Sequence, residues 1–400
     1  MPNQPFLRRV KIRNYKSIGT CDVEPGRLTL LVGRNGSGKS NFLDALRFVF
    51  DGLQTSLDHA IKTRGGIDEV RRRSTGHPHN FGVEVEIELS GFRVAKYGFE
   101  ISSQPKGGFV VKSERIEVRK GSGTVGAAFR LSNGQIDMSS PYPPEKMPQS
   151  VNDRLYLVTA SGLPEFRESY NALLSMGFYN LSPEQMKEVQ SPEPGELLRR
   201  DGSNIASVVA RLAEEDPATK HRIKEYLERI VPDIVDFSRM ALGHRETLEF
   251  RQQIKGSTHP WRFYAANMSD GTLRTLGVLV AAMQLVNREE RVGLVGIEEP
   301  ETALHPAAAS VLMDSLREVG ATTQVILTTH SPDLLDSFDP DKDTLLVVQA
   351  SQGATEIGPA DPASLEALKS HLYSAGELLR MDQLRPDKHA LSRQTELLFE

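Results

Sequence analysis

The sequence predicts an α/β fold: a mixed central sheet carrying a phosphate-binding loop, with an antiparallel β subdomain and a helical lobe inserted between its two halves. Three observations predict it. First, Gly33-Arg34-Asn35-Gly36-Ser37-Gly38-Lys39-Ser40 fits G-x-x-x-x-G-K-[ST], the pattern of a phosphate-binding loop. Second, the apolar run Leu28-Thr29-Leu30-Leu31-Val32 precedes it as a buried strand. After it, Phe42, Leu43, Ala45, Leu46, Val49 and Phe50 share one helix face. Third, two later apolar runs, 292–297 and 323–328, each end in residues suited to phosphate chemistry.

Bulk composition narrows the function. The chain has 400 residues, 38% hydrophobic and 25% charged, as in ordinary globular proteins. A net charge of −5 excludes a uniformly basic nucleic-acid binder. The single cysteine, Cys21, excludes an intramolecular disulfide framework and reads as part of a polar N-terminal turn. No apolar run reaches the length of a membrane span, and Met1–Pro5 is polar with no leader pattern after it. A cytoplasmic protein with no membrane partner is expected.

The elements follow in chain order. Val10 and Ile12 alternate with Arg9, Lys11 and Arg13, which predicts an edge strand with a solvated basic face. In the phosphate loop, glycines let backbone N–H groups turn toward phosphate oxygens, and the following helix N-terminus adds partial positive charge. Asn35, Gly36, Ser37, Gly38, Lys39, Ser40 and Asn41 are the expected nucleotide-binding residues. Lys39 should reach the β- and γ-phosphates, and the Ser40 hydroxyl should ligate Mg²⁺.

Residues 56–80, with Arg71-Arg72-Arg73, read as a polar surface loop, and His77 and His79 lack the companions of a metal site. Val83, Val85, Ile87 and Leu89 alternate with Glu84, Glu86 and Glu88, and 92–102 and 109–119 continue an antiparallel meander. Leu131-Ser132-Asn133-Gly134-Gln135 reads as a hairpin turn, because no amphipathic helix follows it. From about 162 to 235 the pattern is helical, and no heptad run sustains a long coiled coil. The runs 248–251 and 261–264 read as strands returning to the core.

The remaining chemistry lies in the C-terminal half. Ser269-Asp270-Gly271 opens a helix with Leu273, Leu276, Leu279, Val280 and Met283 on its apolar face. A Ser-x-Gly at a helix start is a second anion site. One nucleotide does not need two such sites in one chain. Two copies facing each other do, each offering Ser269 and Gly271 to the other's γ-phosphate. The run 292–297 ends in Glu298-Glu299-Pro300-Glu301, where Mg²⁺ and an attacking water must be held. Glu298 is assigned to the Mg²⁺ side and Glu299 to the water. The strand 323–328 ends in Thr329-His330-Ser331, placing His330 level with Glu299 as a γ-phosphate sensor. Asp341-Lys342-Asp343 reads as a loop, and Ser374–Leu379 as a terminal helix or partner-docking segment.

Together these segments resemble an ATP-binding-cassette ATPase of the RecF/SMC-like, AAA-type kind. The phosphate loop, Ser269-Asp270-Gly271, Glu298-Glu299-Pro300, Leu304-His305-Pro306 and Thr329-His330-Ser331 occur in that family's order, with Glu298 where an Asp is usual. The resemblance implies an ABC-type head that binds ATP and Mg²⁺, hydrolyses ATP, and closes as a head-to-tail homodimer around two nucleotides, alone or in a higher oligomer. It also resembles OLD-family proteins without their Toprim nuclease. It is most similar to stand-alone ATPases of bacterial anti-phage systems, whose effector, a nuclease or toxin, is a separate protein. The alternative is a DNA-repair or chromosome-associated ATPase that clamps nucleic acid directly. The expected organisation is an N-terminal head part at 1–60, an antiparallel region at 61–160, a helical insert at 161–240, the second head part at 241–350 and a tail at 351–400.

Overall fold

The computed structural model describes residues 6–74, 78–151, 154–284 and 293–396. His77 and Val292 lie outside them. A 13-stranded sheet runs through the molecule. From one edge its order is Gln135–Ser140, Val125–Ser132, Gly108–Arg119, Arg93–Gln104, Asn80–Leu89, Phe6–Tyr15, Ile18–Val23, Ala354–Pro359, Thr344–Ser351, Leu28–Val32, Gln324–Thr329, Leu294–Glu298 and Met176–Tyr179. The first seven strands pair antiparallel. The last five pair parallel.

The two halves obey different burial rules. Asn80–Leu89 alternates buried and half-buried residues because one of its faces meets water. Leu28–Val32 and Gln324–Thr329 are buried at every residue because helices cover both faces. Leu31 joins the core with the helix Lys39–Gln54. Leu28, Leu30 and Val32 join the core on the other side, with the helices Asp270–Met283 and Ala309–Gly320. The helix Asp270–Met283 is buried on all sides from Thr272 onward, beyond the single face its spacing predicts, because Pro217–Ile230 and Ala309–Gly320 pack against it.

Several segments differ from expectation. Phe6–Tyr15 is an interior strand, paired on both sides, with Val10 opposite Val23 and also opposite Val85. Cys21 is fully buried in the strand Ile18–Val23, opposite Ile12, and is not in a turn. Residues 56–70 form the short helices Leu57–Lys62 and Ile67–Val70. Arg64 secures them, donating to Asp44 and reaching Asp51 at 2.9 Å. Arg71 and Arg73 are held by Asp68 and Glu69. Within the helical insert, Met176–Tyr179 becomes the sheet's other edge strand. The runs 248–251 and 261–264 belong to a separate three-stranded sheet, Ile234–Leu242, Arg245–Gln252 and Trp261–Tyr264. Asn133 and Gly134, with φ 47° and 80°, make the expected hairpin turn, since a two-residue hairpin needs left-handed backbone at both positions. Ser374 and Glu377 form a capping box on the helix Ala375–Arg380.

Candidate functional site

Three strand ends lie side by side. Thr329 pairs with Val32, and Glu298 with Thr328, so the residues that follow each strand leave the sheet on one edge. This placement brings the phosphate loop, Glu298-Glu299 and His330 together. It is the switch-edge geometry in which open parallel sheets bind ligands.

The loop is tightly built. Gly36 and Gly38 have φ 75° and 102°. A Cβ on Gly33 would lie 2.1 Å from Val348 O, and one on Gly38 would lie 2.1 Å from Thr355 Oγ1. The helix Lys39–Gln54 has no side-chain cap, and its Asn41 N–H donates to Gly38 O at 3.0 Å. Lys39 is 5% exposed, and its Nζ donates to Gly33 O at 2.8 Å and Arg34 O at 3.1 Å. An ammonium has three donors, so one is left to spend. Burial lowers the Lys39 pKa, and the charges of Glu299 and Glu301 oppose that shift. Ser37 Oγ is buried without a partner among the described residues. Orphan donors, a glycine cradle and a buried lysine fit a polyphosphate. Ser40 is exposed at the first helical turn, as are Asn35 and Gly36. Asn41 turns away from this edge, and its amide donates to Ser17 Oγ at 2.7 Å.

Across the edge, Glu299 sits in left-handed backbone, φ 45°. Its N–H donates to Thr328 O at 3.0 Å. Its Oε1 lies 3.1 Å from His330 Nδ1. Glu298 is held by Arg200, whose Nη2 donates to Oε1 at 2.8 Å. Ser269 is the N-cap of Asp270–Met283, accepting from Thr272 N–H, and it is exposed. A Cβ on Gly271 would lie 2.3 Å from Ala303 O.

Four residues that sequence reasoning missed support these groups. Thr355 Oγ1 donates to Ser37 O at 2.8 Å and lies 2.7 Å from Ser17 Oγ. Together Thr355, Ser17 and Asn41 buttress the loop from below. Arg274, nearly buried, donates to Leu181 O at 2.7 Å and to Glu298 O and Glu299 O at 3.1 Å. It clamps the acidic turn to the helix Asp270–Met283. Arg200 is the fourth. Arg274 had a signal, since a charge on an otherwise apolar helix face must find acceptors. The others had none.

The fold and this edge are those of an AAA-type ATPase domain. The chain belongs to the family described as "AAA domain, putative AbiEii toxin, Type IV TA system", whose model matches residues 28–134 and 174–336. Two solved structures share the fold. One is an Smc head bound to the C-terminal domain of ScpA from Pyrococcus furiosus, at TM-score 0.54 and 13% identity, covering 92% of this chain and 100% of that one. The other is an SmcHead bound to the C-winged helix domain of ScpA, at TM-score 0.52 and 15% identity, covering 88% and 96%. A curated relative, the DNA replication and repair protein RecF of Trichlorobacter lovleyi, is 48% identical over 42 residues. That match spans 10% of this chain and 11% of RecF. No helix among the described residues is long and apolar enough to cross a membrane.

Proposed function

We propose that the chain binds ATP with Mg²⁺ at Gly33–Ser40 and hydrolyses it in a head-to-tail homodimer whose closure gates a separate effector protein in anti-phage defence. The convergence of Lys39, Glu299 and His330 on one sheet edge supports the binding and hydrolysis half of this reading. Lys39 and the uncapped helix N–H groups would hold the β- and γ-phosphates. Ser40 and Glu298 would hold Mg²⁺, which when bound neutralises charge on the phosphates. Arg200 holds Glu298 through Oε1, which leaves Oε2 as the oxygen that would face the cation. Glu299 would orient the attacking water, and His330, hydrogen-bonded to Glu299, would sense the γ-phosphate. Ser269, exposed at its helix start, would reach the partner copy's nucleotide.

The test is Glu299→Gln. This variant should retain ATP binding, lose turnover and accumulate as an ATP-bound dimer in light scattering. A monomer at saturating ATP would sink the sandwich. The effector half has its own test: the chain alone should neither cleave plasmid or RNA nor protect cells from phage.

A second reading, direct clamping of DNA, is favoured by one observation. A groove on the antiparallel strands is lined by Lys11, Arg13, Arg115 and Arg130 together with Glu84 and Glu100, and Arg115 is paired with Glu84, which leaves Arg13 and Arg130 as its cations for a phosphate backbone. Duplex binding that weakens steeply with salt, and is lost in Arg13→Ala/Arg130→Ala, would select it.

A further inference from the structure

We propose that Glu301 is a positioning residue that couples the helix Asp270–Met283, the signature helix, to His330; the inference rests on the hydrolysis reading above. Glu301 is 9% exposed, and its carboxyl group lies at the end of the strand Gln324–Thr329. Oε1 accepts from Thr329 Oγ1 at 2.5 Å and from the His330 N–H at 3.4 Å. Oε2 is buried with no partner among the described residues. A buried, half-satisfied carboxyl costs stability, so apolar packing would be the cheaper choice for a residue that only filled space.

The turn that carries Glu301 is also constrained at both ends. Glu299 and Ala303 hold φ of 45° and 67°, left-handed values that a non-glycine residue keeps only when its surroundings impose them. Thr302 N–H donates to Glu299 O, and Leu304 N–H to Glu301 O. On the far side of the turn, Ala303 O touches Gly271, where no Cβ fits. Arg274, one helical turn on, grips the carbonyls of Glu298 and Glu299.

These contacts form a continuous path. Ser269 and Gly271 open the signature helix. Gly271 bears on Ala303, Ala303 belongs to the turn of Glu301, and Glu301 holds the hydroxyl of Thr329 and the backbone of His330. A signature helix pulled toward the partner copy's γ-phosphate therefore moves the turn, and the turn moves His330 at the chain's own nucleotide. The path is continuous only while Glu301 keeps its acceptor on Thr329.

The experiment compares Glu301→Met, Glu301→Gln and Thr329→Val with the unmodified full chain. It measures steady-state turnover, equilibrium binding of a fluorescent ATP analogue and thermal unfolding. Glu301→Met keeps the length and loses the acceptor; kcat should fall about ten- to a hundredfold while the analogue's Kd changes by less than about twofold. Glu301→Gln keeps an acceptor oxygen and should retain at least about half of kcat. Thr329→Val, which also takes the acceptor from the Ser331 N–H, should lose at least as much, and the double variant should be no worse than the poorer single variant, because both break the Glu301–Thr329 contact. Should Glu301→Met fail to fold, Thr329→Val and Glu301→Gln decide alone. Wild-type turnover in Glu301→Met or Thr329→Val would overturn the inference. So would a loss confined to Kd, a failure of Glu301→Gln to rescue, or losses that multiply. If instead Lys39→Ala keeps ATP binding or Glu299→Gln keeps turnover, the hydrolysis reading itself is wrong.

Discussion

Replacing Thr355 by valine keeps the shape of the side chain and removes its hydroxyl. The site is 3% exposed, so no water replaces the lost group. Two contacts go: the bond to Ser37 O at 2.8 Å and the exchange with Ser17 Oγ at 2.7 Å. Ser17 still accepts from Asn41, so it is left half-satisfied, whereas Ser37 O loses its side-chain donor. A stranded buried acceptor costs about 1–3 kcal/mol, and the weaker second loss adds about 0.5–1 kcal/mol, for a total of about 1.5–4 kcal/mol. The loss falls on the backbone at Ser37 and Gly38, where φ of 102° has to be held for the loop's N–H groups to point inward. If about 1.4 kcal/mol of it appears as lost loop pre-organisation, ATP affinity falls tenfold. Thr355→Ser, which keeps the hydroxyl, should recover most of both effects. Isothermal titration with ATP and urea unfolding measure the two parts separately. A valine variant that binds ATP as tightly as wild type and unfolds within about 0.5 kcal/mol of it would refute the buttress.

Lys39→Ala should abolish ATP binding in the same titration, because it removes the buried ammonium aimed at the phosphates; unchanged affinity would remove the loop from the site. Arg274→Leu should destabilise the chain by about 2–4 kcal/mol and cut turnover, since three carbonyls lose their donor; urea unfolding together with a phosphate-release assay checks both. Glu114 should give stability an unusual pH slope. It is fully buried, accepting from the N–H groups of Tyr156 and Leu157 and from Tyr97, and burial raises its pKa from 4.5 to about 7. The folded state therefore holds this proton more tightly than the unfolded state. The contribution is full below pH 4.5 and disappears as pH rises through about 7, a loss of about 3 kcal/mol. Unfolding curves of wild type and Glu114→Gln between those limits should converge or diverge by that amount; parallel curves would contradict it.

Much of the nucleotide edge was legible in the chain because a phosphate loop is a local object. Its eight residues set their own dihedrals, and the flanking apolar patterns announce the strand and helix that aim them. The acidic run after Ile297 and the Thr329-His330-Ser331 end were legible for a similar reason: each caps an apolar strand, and apolar strands in a parallel sheet end together. The 3.1 Å approach of His330 to Glu299 follows from that alignment. What could not be read is everything set by register between distant segments. Thr355 lies 318 residues from Ser37, and only the parallel pairing of Ala354–Pro359 beside Ile18–Val23 brings it under the loop. The four residues Met176–Tyr179 are too short to show a period, and they become a strand because Leu294–Glu298 offers an open edge. Cys21 looks polar beside Thr20 and Asp22, yet pairing with Ile12 turns it into the core. Arg200 reaches Glu298 across 98 residues. Local dihedral preferences and hydrophobic period are written in neighbouring residues, whereas cross-sheet contacts depend on chain closure over hundreds of residues, and only the folded sheet fixes them.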